Sequence, residues 1–260
     1  MSGGTEVPPR VAVVTGGSTG IGLAVVETLQ AAGYRVAFFS QHADHVEAAR
    51  EELVRRFPAA ELLAEAVDIR DAAALRAFFD QVTASWAVPD ALVCNAAISP
   101  KSPSGRRPLA EIETAQWSDV LAVNLTGTML CCQCVLPGMA ARRSGRIVLI
   151  GSIAGRTLPR IAGAAYSASK AGLAGLARSI VSEYAQYRVT ANTICPGRIV
   201  SPLTGPADSP ANRAALQRIP IGRLGEPNDV ARAVEFLLHP GSDFINGAIL
   251  DINGGEYAPS

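Results

Sequence analysis

Lysine is almost missing from this 260-residue chain: of its 23 basic residues only Lys101 and Lys170 are lysine, and the rest are arginine. A bias toward arginine has therefore spared position 170. A compact ammonium fits a tight pocket beside a phenol, whereas the guanidinium is a wide planar fork that cannot be deprotonated. Net charge is missing too, 23 acidic residues balancing the 23 basic ones. No global field attracts nucleic acid or an anionic membrane. Met1-Ser2-Gly3-Gly4 and the residues after them lack the basic and apolar regions of a signal peptide, and no apolar run approaches the ~20 residues that span a bilayer. These absences point to a cytoplasmic protein. The five cysteines are an odd number, and Cys131, Cys132 and Cys134 crowd one predicted helix with no second C-x-x-C or histidine cluster. Neither disulfides nor a metal site is expected.

What is present is an apolar, regularly alternating chain. Hydrophobic residues make up 48% of it, enough for one large core, and a single domain over 10–260 is expected behind a flexible tail, 1–9. Val11-Ala12-Val13-Val14 reads as a strand buried on both faces. Thr15-Gly16-Gly17-Ser18-Thr19-Gly20-Ile21-Gly22 then opens a helix that stops at Gly33. Glycines in that place let backbone N–H groups and a helix N-terminus approach a pyrophosphate. Strands are further expected over 35–39, 61–67, 91–94, 146–150, 189–194 and 248–252, with helices between them. Asp44 with Glu47 suggests a capping box for the second helix, and Glu226-Pro227 starts the last one. The alternation predicts a Rossmann-type, doubly wound parallel α/β sheet of about seven strands with helices on both faces, and ligands at the carboxyl ends of the strands.

Candidate residues lie at those ends. Where dinucleotide folds usually present an acid to the adenosine ribose, this chain has Ser40-Gln41-His42. A carboxylate ~4 Å from a 2′-phosphate would repel it by several kcal/mol at an effective dielectric of ~20. Its absence favours NADP(H), although no arginine stands there to clamp the phosphate, and NAD(H) is the alternative. Asp68 follows the third strand as either a ligand contact or a helix N-cap. Asn124 interrupts a helix and marks either a kink or a functional polar group. Ser152 ends the fifth strand. Tyr166-Ser167-Ala168-Ser169-Lys170 places a phenol and an ammonium one helical turn apart. A lysine ~5 Å from a tyrosine favours phenolate by ~3 kcal/mol at a dielectric of ~20, about two pKa units. Taken alone, such a pair reads as a solvated lysine one turn from a half-buried tyrosine, and the rest of the chain must argue otherwise. A Pro-rich segment within about 198–220 is too irregular for core and suits a substrate lid. Lys101, Arg106, Arg107, Arg156, Arg160, Arg213 and Arg218 lie on segments expected at the mouth of the site. They are either solvated loop charges or an attraction for an acidic substrate or acyl carrier.

Taken in order, these motifs resemble the short-chain dehydrogenase/reductases, most of all the 3-oxoacyl-carrier-protein reductase-like members. The match runs through T-G-G-S-T-G-I-G at 15–22, V-D-I at 67–69, N-A-A at 95–97, V-N at 123–124, I-G-S at 150–152, Y-S-A-S-K at 166–170, P-G at 196–197 and N-G-G at 253–255. Ala97 stands where the family usually has glycine. The resemblance implies hydride transfer between a nicotinamide cofactor and a carbonyl or alcohol. Tyr166 would be the general acid or base, Lys170 would lower its pKa and hold the nicotinamide ribose, Ser152 would bond the carbonyl oxygen, and Asn124 would hold a water. Gly16, Ser18, Gly20, Ile21 and Gly22 would hold the pyrophosphate, Asp68 and Ile69 the adenine, Asn95 and Ala96 the ribose side. Pro196, Gly197 and Ile199 would also bind the cofactor, Ile199 at its carboxamide, while Ser40 and Gln41 flank the 2′ position. It further implies a homotetramer or dimer acting on a small-molecule substrate, carrier-bound or free. Alternatives are an NAD-linked alcohol dehydrogenase and a non-catalytic dinucleotide sensor.

Overall fold

The computed structural model describes residues 9–101 and 105–259, so the expected tail falls almost wholly outside it. Strands and helices alternate as β1 (Val11–Thr15), α1 (Gly20–Ala31), β2 (Arg35–Ser40), α2 (Ala43–Arg56), β3 (Leu62–Ala66), α3 (Ala72–Ser85) and β4 (Ala91–Cys94). The second half continues with α4 (Thr114–Leu121), α5 (Gly127–Ala141), β5 (Gly145–Ile150), α6 (Ala164–Tyr184), β6 (Val189–Pro196), α7 (Pro210–Leu216), α8 (Pro227–Leu238) and β7 (Ile249–Ile252). All seven strands pair in parallel, in the order β3-β2-β1-β4-β5-β6-β7. The order reverses between β1 and β4, and in such sheets ligands settle in the crevice at that switch point.

Strand periodicity explains the layers. Val11 and Val13 of β1 turn to one face and Ala12 and Val14 to the other, all four essentially inaccessible. The first face is covered by α3, α5 and α6 through residues such as Leu75, Cys131 and Leu173. Helices α1, α2 and α8 cover the second through Leu29, Leu53 and Val234. Phe39 meets Phe78 edge-on at 5.1 Å between ring centroids. Each such buried aromatic contributes about 1.5–3 kcal/mol by leaving water.

Four local expectations change. Helix α2 begins at Ala43 with His42 as its uncapped N-cap, so Asp44 and Glu47 form no capping box. Glu47 instead pairs with Arg50 one turn along at 2.6 Å. Asp71, not Asp68, caps α3 by accepting from the Ala73 and Ala74 N–H groups. The segment read as too irregular for core contains α7, with Asn212 and Ala215 buried. Finally, α4 and α5 form one continuous stretch, Thr114–Ala141, through a π turn at Ala122–Thr126. By length and composition that stretch could cross a membrane, although its apolar side chains belong to the core of the sheet's first face.

Candidate active site

The turn after β1 is held by its neighbours before any ligand is considered. Gly16 N–H donates to the Phe39 carbonyl of β2 at 2.7 Å. Thr15 Oγ1 accepts from the N–H groups of Asn95 and Ala96, both at 3.0 Å, and Asn95 Nδ2 donates to the Gly16 carbonyl at 3.0 Å. Gly22 has no room for a side chain, since a Cβ would lie 2.0 Å from the Gly16 oxygen. Its role is to let α1 press onto the turn. Thr19, the N-cap, makes no side-chain cap bond, so no side chain of the N-cap satisfies the first-turn N–H groups. A cavity of about 270 Å³ opens there, lined by Gly16, Ser18, Gly20, Ile21, Ser40, Gln41, Asp68, Ile69, Asn95 and Ala96. Unpaired first-turn amides, a glycine turn and a rim drawn from the ends of β1 to β4 fit a dinucleotide.

Around the adenosine end, Ser18 Oγ donates to Ser40 Oγ at 2.9 Å. Gln41 Nε2 reaches Asp68 Oδ2 at 3.4 Å. Hydrogen bonds from Arg70 hold the Asp68 carboxyl below its ordinary range. Asp68 is thus a partnered carboxylate on the cavity wall. His42 and His45 line the same cavity, their rings 5.3 Å apart. Sequence reading assigned neither imidazole a place, and no lysine or arginine lines this cavity among the described residues.

The chemical groups converge across the sheet from this cavity. Ser152 follows β5 as the N-cap of a single 3₁₀ turn, its Oγ accepting from Ala154 N–H at 3.1 Å. Gly155 closes that turn, and a Cβ on it would lie 2.6 Å from the Ala171 nitrogen of α6. Its lack of a side chain lets the turn press against α6, the helix that carries Tyr166. Both hydroxyl-bearing residues line a second cavity of about 220 Å³, with Gly197; Leu203 stands at the border of the two cavities.

Lys170 lies one turn beyond Tyr166, with Nζ 5.8 Å from the phenol ring centroid. It lines neither cavity. Only 4% exposed, it donates to the Ile150 carbonyl at 2.6 Å. Burial pushes its ammonium down to about 8. The phenol moves opposite to expectation: burial raises its pKa above the ordinary value, while the neighbouring Ser152 hydroxyl pulls the other way. Desolvation disfavours the charged form of both groups, and here it outweighs the attraction expected from helical spacing alone.

Asn124 is fully buried in the π turn. Its Oδ1 accepts from Ile98 N–H at 2.8 Å, and its Nδ2 donates to the Ile98 carbonyl and to Ser169 Oγ, both at 3.0 Å. Ser169 Oγ in turn donates to the Tyr166 carbonyl at 2.7 Å. This chain pins the loop after β4 to α6, so Asn124 stands at the kink with its amide committed to these bonds. Ser169 is a positioning residue that the sequence pattern contained but did not single out. Pro196 is buried at the end of β6 and lines neither cavity. Ile199 is 3% exposed in a parallel bridge with Gly225. The bridge uses the Arg198 carbonyl and the Val200 N–H. In a parallel bridge the central residue's own N–H and C=O face the other side, and the Ile199 carbonyl accepts there from Thr204 Oγ1 at 2.6 Å.

The basic residues expected at the mouth separate into two groups. Arg106 donates to the Pro159 carbonyl, Arg107 pairs with Glu113, Arg156 pairs with Asp251, and Arg213 donates to the Asp208 carbonyl. Lys101, Arg160 and Arg218 do line the second cavity, joined by Arg198, which the sequence had not marked.

Comparison with known proteins agrees with this geometry. The sequence model of the Enoyl-(Acyl carrier protein) reductase family matches residues 16–256. Cis-4-hydroxycyclohexanecarboxylate dehydrogenase of Sinomonas cyclohexanicum is 38% identical over 260 residues, covering 98% of this chain and 99% of that one. The 3-oxoacyl-acyl-carrier-protein reductase of Vibrio cholerae is 34% identical over 248 residues, covering 95% and 97%. The crystal structure of a 3-oxoacyl-acyl-carrier-protein reductase from Brucella melitensis with bound NAD superposes with a TM-score of 0.90 at 30% identity, covering 97% and 92%. The match in sequence and in fold thus runs along nearly the whole length: the chain belongs to the short-chain dehydrogenase/reductase family, among its 3-oxoacyl-carrier-protein reductase-like members, and is an NAD(P)-dependent oxidoreductase.

Proposed function

We propose that this chain reduces a ketone on a small-molecule, acyl or polyketide-type substrate to a secondary alcohol, with NADPH as the favoured cofactor. The observation that carries the reading is the meeting of the Ser152 and Tyr166 hydroxyls in one cavity beside the dinucleotide-shaped one. Bound nicotinamide supplies hydride to the carbonyl carbon. Negative charge then grows on the carbonyl oxygen, where the Ser152 hydroxyl bonds it and Tyr166 delivers a proton. A phenol whose pKa is raised holds its proton at neutral pH, which suits an acid in the reductive direction. Lys170 holds the nicotinamide ribose and returns the phenol's proton. Because the Asn124 side chain is spent on Ile98 and Ser169, the water assigned to that residue falls to its main-chain carbonyl, which already accepts from Thr128 Oγ1 at 3.0 Å. The Ile199 N–H is the group left for the carboxamide. Segment 198–220 acts as the lid, and the protein works in the cytoplasm as a tetramer or dimer, as the family resemblance implies.

Initial rates with NADPH and with NADH over one carbonyl panel test this. The panel holds acetoacetyl-CoA, 4-oxocyclohexanecarboxylate, its methyl ester and cyclohexanone. Turnover of a ketone, faster with NADPH, is expected. Nucleotide binding with no nicotinamide oxidation across the panel would instead favour a non-catalytic sensor, and faster alcohol oxidation with NAD the reverse reaction. Ser40→Asp checks the cofactor assignment. The variant keeps an acceptor for Ser18 Oγ but places a carboxylate beside the 2′ position, where repulsion of about 4 kcal/mol at 4 Å and a dielectric of ~20 is expected. KM for NADPH should rise at least about tenfold, with little change for NADH. Equal effects on both cofactors would overturn the placement of the 2′-phosphate.

A further inference from the structure

The charge balance of the second cavity is uneven. Lys101, Arg160, Arg198 and Arg218 line it, with Glu256 as the single carboxylate among the described residues. Glu256 already belongs to Arg218, at 3.1 Å. That leaves three cations with no carboxylate partner among the described residues. Lys101 and Arg160 are exposed, and solvation by itself accounts for loop charges of that kind. Arg198 is different. It stands two residues past the end of β6, half-buried, with Nε donating to Asn212 Oδ1 at 2.5 Å and Nη2 to the Thr204 carbonyl at 3.0 Å. Asn212 is itself 1% exposed and fixed by donating to the Pro206 carbonyl at 2.6 Å. The guanidinium is therefore locked in place by neutral groups, with Nη1 left over. Burial disfavours its charged form, the Glu256 carboxylate favours it, and Arg218 works against it again. Arg198 in turn acts with burial to push the Lys101 ammonium down. Like charges gathered at one wall of a cavity repel each other, and an anion that joins them relieves that repulsion.

The rest of the cavity describes that anion's carrier. Ser152 and Tyr166 mark where the carbonyl must sit, and Leu158, Ile161 and Ala215 supply apolar wall. At about 220 Å³ the space is smaller than the ~300–1,000 Å³ of pockets that take drug-sized ligands. Resting on the ketone-reductase reading above, we infer that the substrate is a compact oxo acid, with a carboxylate on the same small molecule as the carbonyl, and that Arg198, aided by Lys101, holds that carboxylate. An ionised donor and acceptor form the stronger class of hydrogen bond, so the anchor fixes orientation as well as affinity. The long acyl-carrier or coenzyme A thioester is the competing source of negative charge, and it would place that charge far from the reacting carbon.

The test compares cyclic and open-chain oxo acids with their methyl esters, and with acetoacetyl-CoA, as the ratio of kcat/KM for acid over ester. Wild-type enzyme should prefer the acid by about tenfold to a hundredfold, the span of one charge-assisted hydrogen bond. In Arg198→Met the ratio should fall to near one, through KM for the acid, and Arg198→Lys should restore part of it. Arg198 also secures Asn212, so should Arg198→Met fail to fold, the double variant Lys101→Met/Arg160→Met, altered only at exposed positions, must lower the same ratio. Esters or acetoacetyl-CoA turned over as well as the acids, or a ratio unmoved by the variants, would overturn the carboxylate anchor while leaving the ketone-reductase reading intact. No turnover of any carbonyl would remove both.

Discussion

Tyr166→Phe should lower kcat by about three orders of magnitude, within the ~10²–10⁴ that a positioned proton donor contributes, while the dissociation constants for NADPH and NADH stay within a few-fold. The substitution removes one oxygen and nothing else. The phenol packs at the wall of the 220 Å³ cavity, which Ser152 lines as well. Ser152 keeps its bond to Ala154 N–H, so the 3₁₀ turn stays in place. The backbone of position 166 remains tied through Ser169 to Asn124. Fold stability should fall by no more than about 1 kcal/mol, the net worth of a single hydrogen bond. Stopped-flow measurement of nicotinamide oxidation, paired with fluorescence titration of the cofactor, separates the two effects. Residual turnover within tenfold of wild type would show that another group protonates the product oxygen.

The sheet was open to sequence reading because its rule is local. Four apolar residues in a row at 11–14, a glycine turn and a helix recur in altered form along the chain, and each strand buried on both faces announces itself by lacking polar alternation. Boundaries were less open. Whether α2 starts with Asp44 or His42 depends on where β2 stops pairing with β3, and that register runs to Ser40 against Ala66. Helix α7 had a visible signal, Ser209 accepting at the N-cap with Pro210 in the first turn, but the surrounding prolines masked it. The Thr114–Ala141 stretch escaped notice because Asn124 and Gly127 interrupt its apolar run, and only packing shows that a π turn carries the helix through them.

Site residues divide the same way. Those defined by backbone chemistry are the easier ones: Gly16 and Ser152 line the cavities, whereas Gly22 lies behind the turn and packs α1 against it. Those defined by tertiary contact were hidden. Arg198 looks like any other arginine until Asn212, fourteen positions away, is seen to lock it. His42 and His45 acquire meaning from the cavity they share with Asp68. Helical spacing correctly set Lys170 a turn from Tyr166, yet spacing is silent about solvent, and removal of water decided the direction of both pKa shifts.

That same burial makes Lys170→Met informative about stability as well as activity. Turnover should fall at least about a hundredfold, since the cation that manages the phenol's proton is gone. Stability responds through linkage. The folded lysine titrates near 8, whereas its ordinary value is 10.5, so between those values the unfolded chain binds a proton that the folded chain has released. Stability contributed by this group therefore rises with pH from about 8 to about 10.5, and below 8 the full cost of burying the ammonium is present. The size of that cost is on the order of 3 kcal/mol. At pH 7 methionine removes it but leaves the Ile150 carbonyl without its 2.6 Å donor, a loss of about 1–3 kcal/mol, so the two proteins should differ little. Buried thiols act in the opposite sense. The Cys132 thiol and then burial raise Cys94, and burial raises Cys131, Cys134 and Cys195, the last to about 11, so unfolded thiols ionise first and stability falls above about pH 9. Because both proteins carry these cysteines, the informative quantity is the difference between them. Urea unfolding at pH 7, 8, 9 and 10 should show that difference moving in favour of wild type by about 2–3 kcal/mol across the series; parallel curves would mean that Lys170 reaches enough water to keep its ordinary proton affinity.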